Sequence, residues 1–177
     1  MIKLYQRLVR RCGTINQINR VHISLENWMT PQQWWSLRNE LLQSPAYDFL
    51  HQPPTENAAS VADIRHAQRT WVDTMHKLYQ KAASNVAQDF VRYRLGRHID
   101  WYKSAQGEPL NKTLVICFTG MAQRMMIPLP VFLQHIDASD CDVVMIRYPR
   151  GKGYRYGLEG VADGFAATVV KLGAILP

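Results

Sequence analysis

The strongest constraint on this chain is a pair of short, almost wholly apolar runs, Thr113-Leu-Val-Ile-Cys-Phe118 and Asp142-Val-Val-Met-Ile146. Each has the length of a strand rather than a helix, and such runs are typical of strands covered on both faces by helices. Thr119-Gly120 breaks the first run. Pro128–Ile136 then has the spacing of a short helix presenting Leu129, Phe132, Leu133 and Ile136. After the second run comes a loop with four glycines, Arg147–Gly160, and then Val161–Ala174, which sets Val161, Phe165, Thr168, Val169 and Leu172 on one helical face. Strand, helix, strand, helix with apolar strands is the parallel α/β pattern, joined by right-handed crossovers.

The residues upstream read as mainly helical. Ile2, Leu4, Tyr5, Leu8 and Val9 share one side of a helical turn pattern that Gly13 ends. Arg20–Asn27 alternates Val21, Ile23 and Leu25 with polar residues, which predicts a half-buried strand or an extended lead-in. Thr30-Pro31-Gln32-Gln33 predicts a capped helix start, followed by the stripe Trp34, Leu37, Leu41 and Leu42. Asp48–Asn57, with Pro53-Pro54, predicts a loop. Ser60-Val-Ala-Asp63 opens a longer helix with Ile64, Ala67, Trp71, Met75, Leu78, Ala82 and Val86 on its buried face. Phe90–Tyr102 is expected to be extended, with an irregularity at Gly96, and to pair antiparallel with Thr113–Phe118 through the turn Ala105–Asn111. The expected organisation is a helical region over 1–89 and a sheet region over 90–177, packed as one unit.

Composition narrows the function classes. The chain is 47% hydrophobic and 20% charged, as a globular domain of 177 residues should be. Its net charge is +7, and residues before Lys112 hold 14 Lys/Arg against 9 Asp/Glu. No run of five basic residues and no nucleic-acid motif accompanies that excess, so charge alone makes a nucleic-acid partner the weakest reading. Cys12, Cys117 and Cys141 form neither a CxxC pair nor a disulfide framework, which points to a reducing compartment. No apolar stretch is long enough for a membrane span, and the amino terminus lacks the apolar region of a secretory signal, so a cytoplasmic location is expected.

The order Thr113–Gly120, then Ala122 and Met126-Ile-Pro-Leu-Pro-Val-Phe-Leu133, then Val143-Val-Met-Ile-Arg-Tyr-Pro149 resembles the early sheet of the α/β-hydrolase-fold superfamily. The resemblance covers 67 residues, counted from Asn111 to Pro177. It implies a partial α/β-hydrolase-like sheet, an opening β-hairpin and then parallel βαβα, behind the helical region. It also implies that Gly120 and the Met121 amide occupy the oxyanion-loop position, with Gln123 and Arg124 at the carboxyl edge of the sheet where α/β sites gather. The family's nucleophile sits in G-x-S-x-G on a later strand, with the acid and histidine later still. This sequence has no G-x-S-x-G, and it reaches Pro177 where that strand is expected. The resemblance therefore implies the amino-terminal portion of an esterase or acyl-transfer enzyme, catalytically incomplete as given. A partner chain or further sequence would complete the sheet.

Other chemistry finds little support. The six histidines make neither HxxxH nor HExxH, and no cysteine joins them at metal-ligand spacing, so neither metal nor cofactor is expected. His98-Ile-Asp100 places imidazole and carboxylate on one side of a strand, a pairing common by chance. In the loop after the second apolar run, Arg147, Arg150, Lys152 and Arg155 interleave with Tyr148, Tyr154 and Tyr156. Cations beside aromatics suit an anionic or glycan-like ligand, with Arg150, Lys152 and Tyr154 as candidate contacts. That loop carries the competing reading: a non-catalytic module binding such a ligand or a partner protein.

Overall fold

The computed structural model describes residues 1–43, 60–82, 87–105, 112–121, 123–148, 154–158 and 161–175. The described residues are mixed α/β, with six α-helices and a mixed four-stranded sheet. Chain contacts group them into two units, Met1–Gln88 with Ile127–Ile136, and Asp89–Met126 with Asp137–Pro177.

The first unit is helical: α1 (Ile2–Val9), α2 (Ile15–Glu26), α3 (Pro31–Gln43), α4 (Val61–Tyr79) and α5 (Leu129–Gln134). Reciprocal caps start three of them. Thr14 and Gln17 close a capping box on α2, Thr30 and Gln33 exchange the same pair of bonds on α3, and Ser60 and Asp63 do so on α4. The expected strand at Arg20–Asn27 is therefore a helix. Its buried residues are Ile18, His22 and Leu25, at helical spacing, while Ile23 is exposed. On α3, Trp34, Leu37 and Leu41 are buried as the stripe predicts, but Leu42 faces solvent. On α4, Ile64, Trp71, Met75 and Tyr79 line the core, and the helix ends at Tyr79 rather than continuing toward Val86. Val86 and the predicted loop Asp48–Asn57 lie outside the described residues.

A stack of rings organises this core. His22 lies parallel to Trp71 at 4.2 Å, and Tyr5 is 5.9 Å from His22 and 6.0 Å from Trp71. The Tyr5 hydroxyl and His22 Nε2 are 3.1 Å apart, and Trp71 Nε1 donates to Glu26 Oε1 at 2.7 Å. Full burial of each large apolar side chain here is worth about 1.5–3 kcal/mol. The helix after the first apolar run, α5, contributes Val131 to this same core.

The second unit holds β1 (Phe90–Arg94), β2 (Ile99–Ser104), β3 (Thr113–Phe118) and β4 (Cys141–Ile146), in the order β1-β2-β4-β3. β1 and β2 form a hairpin, β2 runs antiparallel to β4, and β3 runs parallel to β4. The expected direct pairing of Phe90–Tyr102 with Thr113–Phe118 does not form. The chain turns between Arg94 and Ile99 instead, and β4 inserts between β2 and β3. The residues of the predicted turn between 106 and 111 lie outside the described set. β4, central and wholly apolar from Val143 to Ile146, is buried as expected. β3 is not: it is an edge strand, with Ile116 44% and Phe118 46% exposed. A small ribbon of β5 (Gly157–Leu158) and β6 (Ala162–Asp163) precedes α6 (Phe165–Ile175). Leu158 and Leu172 pack against Ile99, Trp101, Val144 and Ile146 on one face of the sheet.

Asp100 ties three strands together. Its Oδ1 accepts from Arg92 Nε and Nη2 at 3.0 and 2.8 Å, and its Oδ2 from Arg147 Nε and Nη2 at 2.9 and 2.6 Å. At 1% exposure it is a buried carboxylate whose two oxygens are both engaged. This disposes of the His98–Asp100 pairing as a catalytic dyad.

Candidate active site

The carboxyl ends of the parallel pair β3 and β4 converge on one loop. Thr119 extends the ladder, its amide donating to Ile146 O at 2.9 Å, and is itself 3% exposed. The Tyr148 amide donates to Thr119 Oγ1 at 2.9 Å. The Tyr154 hydroxyl reaches Thr119 O at 2.6 Å and Ile146 O at 3.0 Å, so one phenol bridges both strand ends. Burial pushes the Tyr154 phenol above its ordinary range, against the lowering effect of its bond to Thr119.

Beyond Thr119 the chain closes a tight turn. Gln123 N donates to Gly120 O at 2.9 Å and Gly120 N to Arg124 O at 3.2 Å. The left-handed residue of this turn is Gln123, at φ 60°, not the glycine. Gln123 Nε2 donates to Tyr148 O, which stabilises that unusual backbone. A Cβ on Gly120 would meet Arg124 O at 3.9 Å, ordinary van der Waals contact, so the turn itself does not demand glycine there.

Of the sequence candidates, Gly120, Met121, Gln123, Arg124 and Tyr154 do come together around this loop. Their parts differ. The Gly120 amide is spent inside the turn. Met121 is 80% exposed at the tip of the turn. Gln123 and Tyr154 are braces, and Arg124 is exposed. Arg150 and Lys152 lie outside the described residues. Arg155 and Tyr156 are both exposed, with the guanidinium 4.5 Å from the ring centre.

Beside the turn lies an apolar shelf that the sequence reading did not single out as a site. Phe118 sits edge-on to Tyr154 at 5.1 Å and 6.4 Å from Phe165, which is 49% exposed. Phe118, read as a doubly covered strand residue, could have been flagged only by knowing that β3 is an edge. Thr119, which anchors the loop, was marked only as a strand breaker.

A nucleophile is not among the described groups here. Burial raises the Cys117 thiol, which disfavours thiolate. Thr168 Oγ1 donates to Gly164 O at 2.9 Å, and Ser139 Oγ donates to Asp137 Oδ1 at 2.7 Å. No group of His, Cys, Asp and Glu among the described residues could hold a metal ion, and no described helix is long and apolar enough to cross a membrane. Comparison of the chain with family models, curated proteins and solved structures finds no match.

Proposed function

We propose that the Thr119–Arg124 turn is the oxyanion-loop side of an α/β-hydrolase-like site of the esterase or acyl-transfer class. In this reading the nucleophile, acid and histidine come from residues outside the 177. The observation that carries it is the tight Thr119–Arg124 turn directly after the end of a strand parallel to its neighbour, with Met121 80% exposed on it and Phe118, at the strand's end, 6.4 Å from Phe165.

The element order supports the same reading: an opening hairpin, then strand, glycine turn, helix, strand and helix. A third strand followed by a loop offering a backbone N–H is where the fold places part of its oxyanion hole. The Met121 N–H would donate to the developing oxyanion, and the shelf would take an apolar acyl chain. The second donor of such a hole comes from the residue after the nucleophile, so this reading asks only one donor of the turn. A strand paired to the open side of β3 would cover Ile116 and Phe118 and set its own carboxyl end beside Met121.

The test is to read the coding frame past codon 177 and assay the whole product with p-nitrophenyl esters of rising chain length. Met121→Pro removes the amide hydrogen and is expected to lower kcat about 10²–10³-fold with little change in KM. A frame without a nucleophile motif, or activity indifferent to Met121→Pro in a folded product, overturns the proposal.

A further inference from the structure

The helical unit carries a concentrated positive charge that is independent of the acyl-transfer reading. Residues 1–25 hold Lys3, Arg7, Arg10, Arg11 and Arg20 and no acidic residue, five charges against none and so +5 of the chain's +7. Residues 26–111 hold 9 Lys/Arg against 9 Asp/Glu and sum to zero. The basic excess before Lys112 is therefore one local feature, not a diffuse property of the surface.

The fold sets four of those five cations on one side of α1. The helix buries Tyr5 and Val9 in the core and packs Ile2 and Leu8 against it. Lys3 and Arg7 lie one turn apart away from that face, and Arg10, which keeps helical backbone angles, follows with Arg11. All four are exposed, and with Gln6 they line one concavity of about 430 Å³, within the usual span for small-molecule sites. No acidic side chain lines it. Among the described residues no ion pair holds Lys3, Arg7 or Arg11. Because the apolar side of α1 is spent in the core, the cations stand on a fixed helix rather than on a free tail.

The ligand chemistry follows from what accompanies the charge. Three of the four cations are arginines, whose planar forks match phosphate oxygens in pairs. No large apolar side chain of α1 is exposed, so nothing there would enter a bilayer. Its one aromatic, Tyr5, is buried and bonded to His22, so nothing there would stack on a base. The strip spans two turns, about 12 Å along the axis, and the sequence beyond it is electrically balanced through residue 111, which suits a compact anion better than a long one.

We propose that Lys3, Arg7, Arg10 and Arg11 bind a compact ligand bearing several adjacent phosphates, of the inositol polyphosphate kind, either free or as a lipid headgroup. Successive cations take separate phosphates, so no common point of convergence is required. A ligand with one phosphate would engage only part of the strip.

The test is calorimetric titration of the full chain with inositol hexakisphosphate, with myo-inositol and citrate as the neutral and polycarboxylate comparisons. Saturable binding is expected for the hexakisphosphate, weakening as salt rises from about 50 to 200 mM, with citrate at least tenfold weaker. Arg7→Gln and Arg11→Gln, both at exposed positions, should each cost about three- to fivefold and together about tenfold or more. Arg69→Gln removes an exposed cation of α4 outside the concavity and should leave the affinity unchanged. Cosedimentation with phosphatidylcholine vesicles containing phosphatidylinositol bisphosphate, competed by the hexakisphosphate, identifies the lipid source, and hexakisphosphate binding without vesicle binding identifies the free one. The proposal is overturned by no saturable heat at millimolar hexakisphosphate, by citrate binding as tightly, or by Arg69→Gln weakening the ligand as much as Arg7→Gln does. Tighter binding to phosphatidylserine vesicles or to duplex DNA than to the hexakisphosphate also overturns it, since a surface or a long polyanion would then be the partner.

Discussion

Replacing Asp100 with asparagine isolates the largest electrostatic commitment in the sheet. The carboxylate gives each guanidinium one oxygen, and each oxygen receives two N–H bonds of 2.6–3.0 Å. Asparagine keeps the shape but offers one oxygen and one NH₂. One arginine therefore loses both bonds and faces donors instead. Hydrogen bonds to charged groups contribute about 1.5–3 kcal/mol each, so the loss lies between about 3 and 6 kcal/mol before solvent is considered. The guanidinium side chains are 25% and 18% exposed, which lets water recover part of it. The expected destabilisation is about 3–4 kcal/mol, near the range for breaking a buried pair from one side. Urea unfolding of Asp100→Asn against the parent reads this directly, and the thermal midpoint should fall by about 10 °C. Arg147→Met made in the Asp100→Asn background should cost far less than in the parent, because its partner is already impaired. A loss below about 1 kcal/mol, with the two substitutions additive, would refute the claim that Asp100 fastens β1, β2 and β4 through its arginines.

Two further outcomes follow from single residues. His22 titrates at about 4 in the folded chain against an ordinary 6.5, because burial disfavours the charged imidazole. Above 6.5 both states are neutral and its contribution is complete. As pH falls from 6.5 to 4 the unfolded chain binds a proton that the folded chain refuses, and about 3 kcal/mol is lost. Stability measured across that window should slope downward toward acid, and His22→Gln should remove most of the slope; an unchanged slope would be the contrary result. Gly157 has φ +85°, and a Cβ there would lie 2.0 Å from Ala162 O and 2.6 Å from Gly164 N. Gly157→Ala should cost about 2–3 kcal/mol in denaturant unfolding. Gly96→Ala, with open space around it, serves as the control and should be near neutral.

The helix starts at Thr30 and Ser60 and the apolar strands were legible because their causes are local, whereas α2 reads as extended from sequence and the last helix, expected from Val161, begins at Phe165 after the β6 strand. Thr30 with Gln33, and Ser60 with Asp63, satisfy free amides within one turn, so a four-residue window contains the whole interaction. Arg20–Asn27 misled for a related reason. Val21, Ile23 and Leu25 alternate, but the packed set is Ile18, His22 and Leu25, and a histidine is not counted as core until Trp71 is seen lying against it.

At the candidate site the sequence marked the loop, through Gly120 and its place after an apolar run. It could not tell that Gly120's amide is consumed by Arg124 O, since that depends on how the turn closes. Nor could it show that Asp100 belongs to Arg92 and Arg147 rather than to His98.

By itself, then, the sequence determined which segments are helices and which are strands wherever caps or apolar runs decide locally. Only the tertiary structure decided the strand order, the edge position of β3 and the stacking of His22 on Trp71. Each of those rests on pairings between residues far apart in the chain. Their loop-closure entropy is set against burial and hydrogen bonding summed over the whole sheet or bundle, a balance that no short stretch of sequence contains.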